Sequence, residues 1–583
     1  MSLHLEHLNP EQLAAVTAPD GHALILAGAG SGKTRVLTTR IAWLVKSGRV
    51  APSGILAVTF TNKAAREMLT RVTAMLPVNP RGLWIGTFHG LANRMLRIHH
   101  REAGLPPAFT ILDSQDQLAA IKRLLKGLNV DEERFPAREL MYFISAQKEE
   151  GLRAGDVRLT DETTRGFAEL YAAYDEQCQR EGVVDFAELL LRCYELLARN
   201  EILREHYSQR FRQILVDEFQ DTNRLQYRWL KLLAGRSSFI FAVGDDDQSI
   251  YRFRGANVGN MADFERDFKV QNVVRLEQNY RSFGNILDAA NALIANNRNR
   301  LGKNLWTSAG QGEPLRVFEG ESDNDEARWL VEEVQALARD GMRLSQIGVL
   351  YRSNAQSRVL EHALFSRAIP YRVYGGQRFF ERAEVKHALA YLRLVAAPDD
   401  DNAFLRVVNF PTRGIGARTL EQLQDAARAN NVSLYRVAEG KAAVFKKLID
   451  DLRAEVQGLP LPEVVEATVA RSGLIEHYKT EREGAERIQN LEELVNAATA
   501  FLQEEREPEE GQSADPLTAF LAHAALEAGE HQAGEGQDAL QMMTVHSAKG
   551  LEFDAVFITG LEEGLFPHEQ SITEADGLEE ERR

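Results

Sequence analysis

A short apolar run, residues 23–26, leads into Ala27-Gly28-Ala29-Gly30-Ser31-Gly32-Lys33-Thr34 and then into a helix-forming stretch. This is a P-loop pattern with Ala27 where the first glycine ordinarily stands. Glycines let successive backbone N–H groups curl around a phosphate. Lys33 supplies a point charge for the outer phosphates of a nucleotide, and the Thr34 hydroxyl can ligate Mg²⁺. A glycine-rich strand-to-helix turn with no ligand would look similar; the strand before, the helix after and the intact Gly-Lys-Thr distinguish the two. Further along, Ile214-Leu215-Val216 runs into Asp217-Glu218. Asp217 is expected to hold Mg²⁺, and Glu218 to orient or deprotonate an attacking water. Alone, acids at the end of an apolar run are a common strand cap; paired with Lys33 they read as the second half of an ATP site. ATP and Mg²⁺ are the expected cofactors.

Elements must position these groups. Residues 23–27, 55–60, 83–87, 214–216 and 239–243 read as buried strands, and a second set follows at 273–276, 315–318, 347–351, 371–374 and 555–559. Amphipathic helical stretches lie between most of them, which predicts an α/β fold with parallel sheets covered by helices. Residues 90–210 and 378–540 read as helix only, with helical spacing at 140–144, 168–174, 186–197, 385–395, 420–429 and 485–502. They look like insertions into two α/β domains. The polar segments 504–510 and 529–536 read as mobile loops.

The chain has 583 residues, which at about 150 per domain suggests roughly four domains. Its 44% hydrophobic and 26% charged residues exclude collagen, wholesale disorder and fibrous repeats. No apolar run reaches membrane-spanning length, and the N-terminus shows no secretory pattern. The two cysteines, Cys178 and Cys193, cannot staple four domains, so a reduced, cytoplasmic protein is expected. The net charge of −16 argues against a nucleic-acid partner, but its distribution does not: residues 1–100 carry eleven Lys and Arg against four acids, a local +7, leaving −23 on the other 483.

The ordered motifs resemble one family. They are Gln12 in Leu8-Asn9-Pro10-Glu11-Gln12; the P-loop; Thr59-Phe60-Thr61-Asn62-Lys63-Ala64-Ala65; Gly86-Thr87-Phe88-His89-Gly90; Asp185-Phe186; Val216-Asp217-Glu218-Phe219-Gln220-Asp221; Gly244-Asp245-Asp246-Asp247-Gln248-Ser249-Ile250-Tyr251; Leu276-Glu277-Gln278-Asn279-Tyr280-Arg281-Ser282; and Thr544-Val545-His546-Ser547-Ala548-Lys549-Gly550-Leu551-Glu552-Phe553. Together they resemble the superfamily 1A DNA helicases of the UvrD/Rep/PcrA family, over essentially the whole chain. The resemblance implies ATP hydrolysis coupled to 3′→5′ movement on single-stranded DNA, unwinding at single-strand/duplex junctions, and work in repair or replication with repair-protein partners and no membrane. It also implies two RecA-like domains, 1A (1–88 and 212–277) and 2A (278–376 and 541–583, C-terminally truncated), with helical domains 1B (89–211) and 2B (377–540) inserted.

Roles carried over by the resemblance are as follows. Gln12 reads the adenine edge, Tyr280 stacks on the base, and Arg35 packs near the nucleotide. Gln248 contacts the γ-phosphate or the water, Arg281 reaches the γ-phosphate from the second RecA-like domain, and Glu552 touches the nucleotide. Phe60, Phe186, Tyr251 and Phe253 match base-contacting rings; Arg254, His546 and Lys549 match phosphate or base contacts, and Asn354 is a further candidate. Relatives often carry Trp at the position of Phe253. Without the resemblance, Phe60 and Phe186 read as core. Thr412-Arg413-Gly414-Ile415-Gly416 resembles a helix–hairpin–helix turn, so Arg413, Gly414 and Gly416 are expected on duplex phosphate.

The chain ends at Glu579-Glu580-Glu581-Arg582-Arg583, a run that in the family opens the last motif. A Thr-Arg-Ala segment, further strands and a wedge hairpin are expected beyond it; from a chain stopping there, ATP and DNA binding are expected and unwinding is not. A second reading, from another class, is a repair scaffold using ATP only as a conformational ligand. A third, a helicase–nuclease, would need a carboxylate-rich domain for which no room is seen. RNA as substrate stays open from residues alone.

Overall fold

The structure is a computed structural model that describes residues 5–76, 82–107, 109–112, 114–252, 255–298, 300–373, 379–430, 432–481, 484–504, 515–529, 538–574 and 576–583. The strands, in chain order, are β1 (Ala23–Ala27), β2 (Ile55–Thr59), β3 (Trp84–Thr87), β4 (Thr110–Ile111), β5 (Val183–Val184), β6 (Gln213–Val216), β7 (Phe239–Gly244), β8 (Asn272–Leu276), β9 (Ile347–Tyr351), β10 (Tyr371–Val373), β11 (Leu540–Thr544) and β12 (Ala555–Ile558). The chain divides into two compact units, Met1–Arg316 with Ala575–Arg583, and Val317–Glu574.

The first unit is built on a parallel sheet ordered β3-β2-β6-β7-β1-β8. Its central strands are buried along almost their whole length and largely apolar because both faces are covered. Side chains alternate: Leu24, Leu26, Leu56, Val58, Ile214 and Val216 face a layer holding Phe88, Leu190 and Trp229. Ala23, Ile25, Ala57, Leu215 and Val243 face the other layer, with Val36, Leu37 and Ile41 of the helix Lys33–Lys46. The register pairs Thr59 with Thr87, Val58 with Val216, Leu26 with Gly244 and Ala27 with Leu276, so the carboxyl ends of all six strands lie along one edge.

The second unit carries a parallel sheet ordered β10-β11-β9-β12. Ile347, Val349, Tyr351, Leu540 and Met542 pack on Leu330, Val331 and Val334 of the helix Asp323–Arg339 and on Leu360 and Leu364. Residues 379–529 contribute a helical body with its own core around Tyr391, Phe404, Phe445, Leu491 and Phe520.

Some strand and helix expectations change. Residues 315–318 form no strand; Val317 is 94% exposed, and without a partner strand their apolar alternation has nothing to bury it. Residues 273–276, read with the second strand set though within the bounds of 1A, pair with β1, and residues 278–316 cluster with the first unit. The helical stretch 90–210 also holds the short parallel pair β4–β5. Apart from Glu504 and Gly529, the segments 504–510 and 529–536 lie outside the described residues. Among the described residues no helix is long and apolar enough to cross a membrane. Cys178 and Cys193 are buried, unlinked thiols.

Candidate nucleotide and nucleic-acid site

In an open parallel sheet, ligands bind outside the carboxyl ends of the strands, and the sequence motifs gather there. β1 ends at Ala27, whose methyl lies in the core, so alanine is tolerated where the loop has not yet begun to curl. Gly28 and Ala29 follow. Gly30 (φ +67°) and Gly32 (φ +83°) take left-handed conformations that side chains disfavour. A Cβ on Gly32 would lie 2.9 Å from Gln12 Nε2. Ser31 closes the turn through its hydroxyl, 2.8 Å from the Gly28 carbonyl. Lys33, Thr34 and the exposed Arg35 open the following helix, whose free N–H groups face the loop.

Gln12 is buried and donates to the Ser31 carbonyl at 2.9 Å, while its amide oxygen accepts from Asn9 N in a capping box. The structure thus places it against the loop backbone. Arg40, on the P-loop helix, caps the other end of the Gln12 helix through the carbonyls of Val16 (2.9 Å) and Ala18 (3.0 Å).

Lys33 Nζ lies 3.4 Å from Glu218 Oε2 and 3.3 Å from Gln248 Oε1. Burial pulls its ammonium down, but Glu218, Asp245 and Asp217 outweigh that and hold it above its ordinary value. Burial, and then the neighbouring Glu218 charge, push Asp217 up to about 7 against the pull of Lys33. A buried carboxylate left short of positive charge, together with the Thr34 hydroxyl at the start of the P-loop helix, makes a donor set of the kind that suits a divalent cation. Glu218 sits at φ +50°, a left-handed conformation costly for a side-chain-bearing residue, and such strain persists where the surrounding structure enforces it. Gln220 is one enforcing group: its amide donates to Glu218 Oε2 at 2.7 Å and accepts from Asp245 N at 2.9 Å.

Tyr280 and Arg281 reach this edge in the first unit. Tyr280 N donates to Gly30 O at 2.9 Å, and Asn279 Nδ2 to Ala29 O at 2.6 Å. Asn279 also accepts from the Arg281 and Ser282 N–H groups. The Tyr280 ring is 57% exposed, its hydroxyl between Asn9 and Gln278. Gln220 and Asn279 stood inside the recognised motifs without a role. Their signal is position, two residues beyond the strand-end acid Glu218 and two residues before Arg281.

The UvrD/REP helicase N-terminal domain matches residues 8–269, and the UvrD-like helicase C-terminal domain matches 274–583. The chain belongs to the UvrD-like helicase family. It is 51% identical to DNA helicase II of Escherichia coli over 100% of this chain and 83% of that protein. It is 49% identical to DNA helicase II of Haemophilus influenzae (99% and 82%) and 41% identical to the ATP-dependent DNA helicase PcrA of Bacillus subtilis (99% and 80%).

Other motif residues of this UvrD-like chain line neighbouring strand ends. Phe60 follows β2; it is half-buried, 5.4 Å from Phe88, and packs on the core. Phe186 is 58% exposed and stacks on His89 at 4.0 Å and 30°. Burial pushes His89 down to about 4, so its ring is neutral. Thr61, Thr87 and Asp185 cap the helices that begin here, each accepting from a backbone N–H. Rings beside helix N-termini combine stacking faces with donors for a phosphate chain. Tyr251 is half-buried in the loop after Gln248; Phe253 and Arg254 lie outside the described residues.

In the second unit, His546, Lys549 and the exposed Glu552 occupy the turn that leaves the carboxyl end of β11. Asn354 bonds Glu486. Gly414 and Gly416 are exposed, as a contacting turn requires, but Arg413 is not presented with them. Its guanidinium donates to Val407 O (3.1 Å), Pro411 O (3.1 Å), Ser472 O (2.9 Å) and Tyr391 OH (2.6 Å), closing the turn from inside. Arg413, expected on duplex phosphate, instead commits its guanidinium to these groups around the turn.

Proposed function

We infer that this chain is an ATP-dependent DNA helicase that moves 3′→5′ along single-stranded DNA and acts at single-strand/duplex junctions, in repair or replication, with repair proteins as partners. The observation that carries the reading is the shared edge of one sheet. Lys33, Asp217, Glu218 and Gln248 converge there, Phe60 follows the adjoining strand β2, and Phe186 stacks on His89 just beyond β3. A rigid sheet links the groups that meet phosphate to the rings that meet bases, so the two ligands can bias one conformation.

The phosphates of ATP replace Glu218 and Gln248 as partners of Lys33, which leaves the Glu218 carboxylate, held by Gln220, to orient a water and take its proton. Water oxygen bonds to the γ-phosphorus as the bond to ADP breaks, giving ADP and phosphate. Thr34 and Asp217 would hold Mg²⁺, which neutralises phosphate charge. Gln248 faces the γ-phosphate. Gln12, Tyr280, Arg35, Arg281 and Glu552 are assigned to the nucleotide; Phe60, Phe186, Tyr251, Asn354, His546 and Lys549 to the single strand; and Gly414 and Gly416 to duplex backbone. The four-part domain division and a reducing cytoplasmic setting belong to the same reading.

Phosphate release measured with and without oligo-dT tests it, together with streptavidin displacement from 5′- or 3′-biotinylated strands. DNA-stimulated hydrolysis and displacement from the 5′ end are expected. ATP binding with no DNA-stimulated turnover would favour the scaffold reading, and displacement from the 3′ end would reverse the polarity.

A further inference from the structure

We propose that Lys303 is a positioning residue for ATP turnover, an ammonium built into the fold that holds the Asp245-Asp246-Asp247 turn and through Asp245 fixes the amide of Gln248. The proposal rests on the ATPase reading above. One oxygen from each of the three carboxylates lies within 4.8 Å of the others, an arrangement suited to a cation. Lys303 Nζ already meets all three: Asp245 Oδ1, Asp246 Oδ1 at 3.4 Å and Asp247 Oδ2 at 2.5 Å, with its side chain 3% exposed. Arg300 adds a two-pronged contact to Asp247 at 2.8 Å, and Leu301 N donates to Asp246 at 2.8 Å. Neither the buried ammonium nor the carboxylate triplet is tolerable without the other.

The consequence reaches the nucleotide site through Asp245. Its second oxygen accepts from Gln248 Nε2, and Gln248 Oε1 faces Lys33 Nζ at 3.3 Å. An amide has a donor end and an acceptor end. With Asp245 locked as an acceptor, the NH₂ of Gln248 turns to it and the oxygen must face the P-loop. Without Lys303, the Asp245 charge is released close to Lys33, which it already attracts. Lys303 is itself fixed: Asn304 N donates to Glu277 Oε1 at 2.8 Å and Leu305 N to Asn291 Oδ1 at 3.0 Å. It therefore ties the Gln248 turn to the segment that carries Asn279, Tyr280 and Arg281.

The test is a double-mutant cycle in the full chain, with oligo-dT-stimulated phosphate release, affinity for mant-ADP and thermal unfolding as readouts. Lys303→Met should lower kcat on the order of tenfold, with KM for ATP and mant-ADP affinity changed less than about threefold. In a Gln248→Ala background the same substitution should cost less than about twofold, because no amide remains to be positioned. Lys303→Arg keeps the charge but meets the triplet with a planar fork, and should lose about threefold in kcat, again only with Gln248 present. Equal fractional losses in both backgrounds, a matching loss of mant-ADP affinity, or normal turnover in Lys303→Met would overturn the proposal. If Lys303→Met fails to fold, unchanged turnover in Lys303→Arg overturns it equally. An unsubstituted chain that binds mant-ADP yet never hydrolyses ATP would overturn the ATPase reading, and this proposal with it.

Discussion

Replacing Phe186 with alanine should weaken single-strand binding while leaving the fold nearly intact, whereas Phe60→Ala should damage both. Phe186 stands at the first position of the helix Phe186–Arg199, capped by Asp185, and its ring is 58% exposed. The ring stacks on His89 at 4.0 Å. Truncation should therefore cost about 0.5–1.5 kcal/mol of stability, the worth of one aromatic pair. A base stacked on that ring contributes about 1–3 kcal/mol. Since 1.4 kcal/mol is tenfold, Kd for an oligonucleotide should rise roughly 5- to 150-fold. Phe60 is half-buried against Phe88 and the core. A fully buried Phe→Ala costs about 3–5 kcal/mol, so about 2 kcal/mol is expected there, beside a similar loss of DNA affinity. Fluorescence anisotropy with labelled oligo-dT and with a mixed-sequence strand, at one fixed salt concentration, reads the affinity; urea unfolding of each variant reads the stability. Stacking accepts every base, so both strands should weaken alike. A Phe186→Ala chain that binds DNA normally but loses more than about 2 kcal/mol of stability would refute the reasoning and return the ring to a packing role.

Further expectations follow from the same geometry. Lys33→Ala should abolish hydrolysis with oligo-dT affinity retained, and Glu218→Gln should keep mant-ATP binding while turnover falls by about 10²–10⁴-fold; normal phosphate release by Glu218→Gln would remove it from the chemistry. Asp217 is raised from 3.8 to about 7, so the fold favours its neutral form, and that advantage is present below pH 3.8 and lost as pH rises through 7. Without nucleotide or divalent cation, Asp217→Asn should melt above the unsubstituted chain at pH 8, with the gap closing towards pH 5; a gap that stays constant with pH would show that burial does not strain this carboxylate. Arg413→Ala leaves the Pro411 and Ser472 carbonyls without this donor and removes a contact from the Val407 carbonyl and the Tyr391 hydroxyl, and should cost about 2–4 kcal/mol in urea unfolding. Lost duplex affinity at unchanged stability would instead place the guanidinium on DNA.

The P-loop and the strand-end acids were legible from sequence because their information is local. A P-loop needs its glycines, Lys33 and Thr34 within one turn, and Asp217 and Glu218 need only the end of an apolar strand. Strand segments were legible for the same reason, since burial on both faces writes an unbroken apolar run. Sequence alone left the rings undecided: Phe60 and Phe186 are the same residue type, and only packing made one half-buried and the other exposed. The pairing of 273–276 with β1 and the failure of 315–318 to pair were equally out of reach, because a strand is defined by its neighbour. The groups that hold the strand-end and turn residues in place came from folding as well. Gln220 bridges Glu218 to Asp245 across two strand ends, Arg413 closes a turn with a carbonyl from Ser472, and Lys303 meets carboxylates more than fifty residues earlier. Such contacts carry no local pattern; they exist because the parallel register brings every carboxyl end to one edge, where charges from distant segments must neutralise one another.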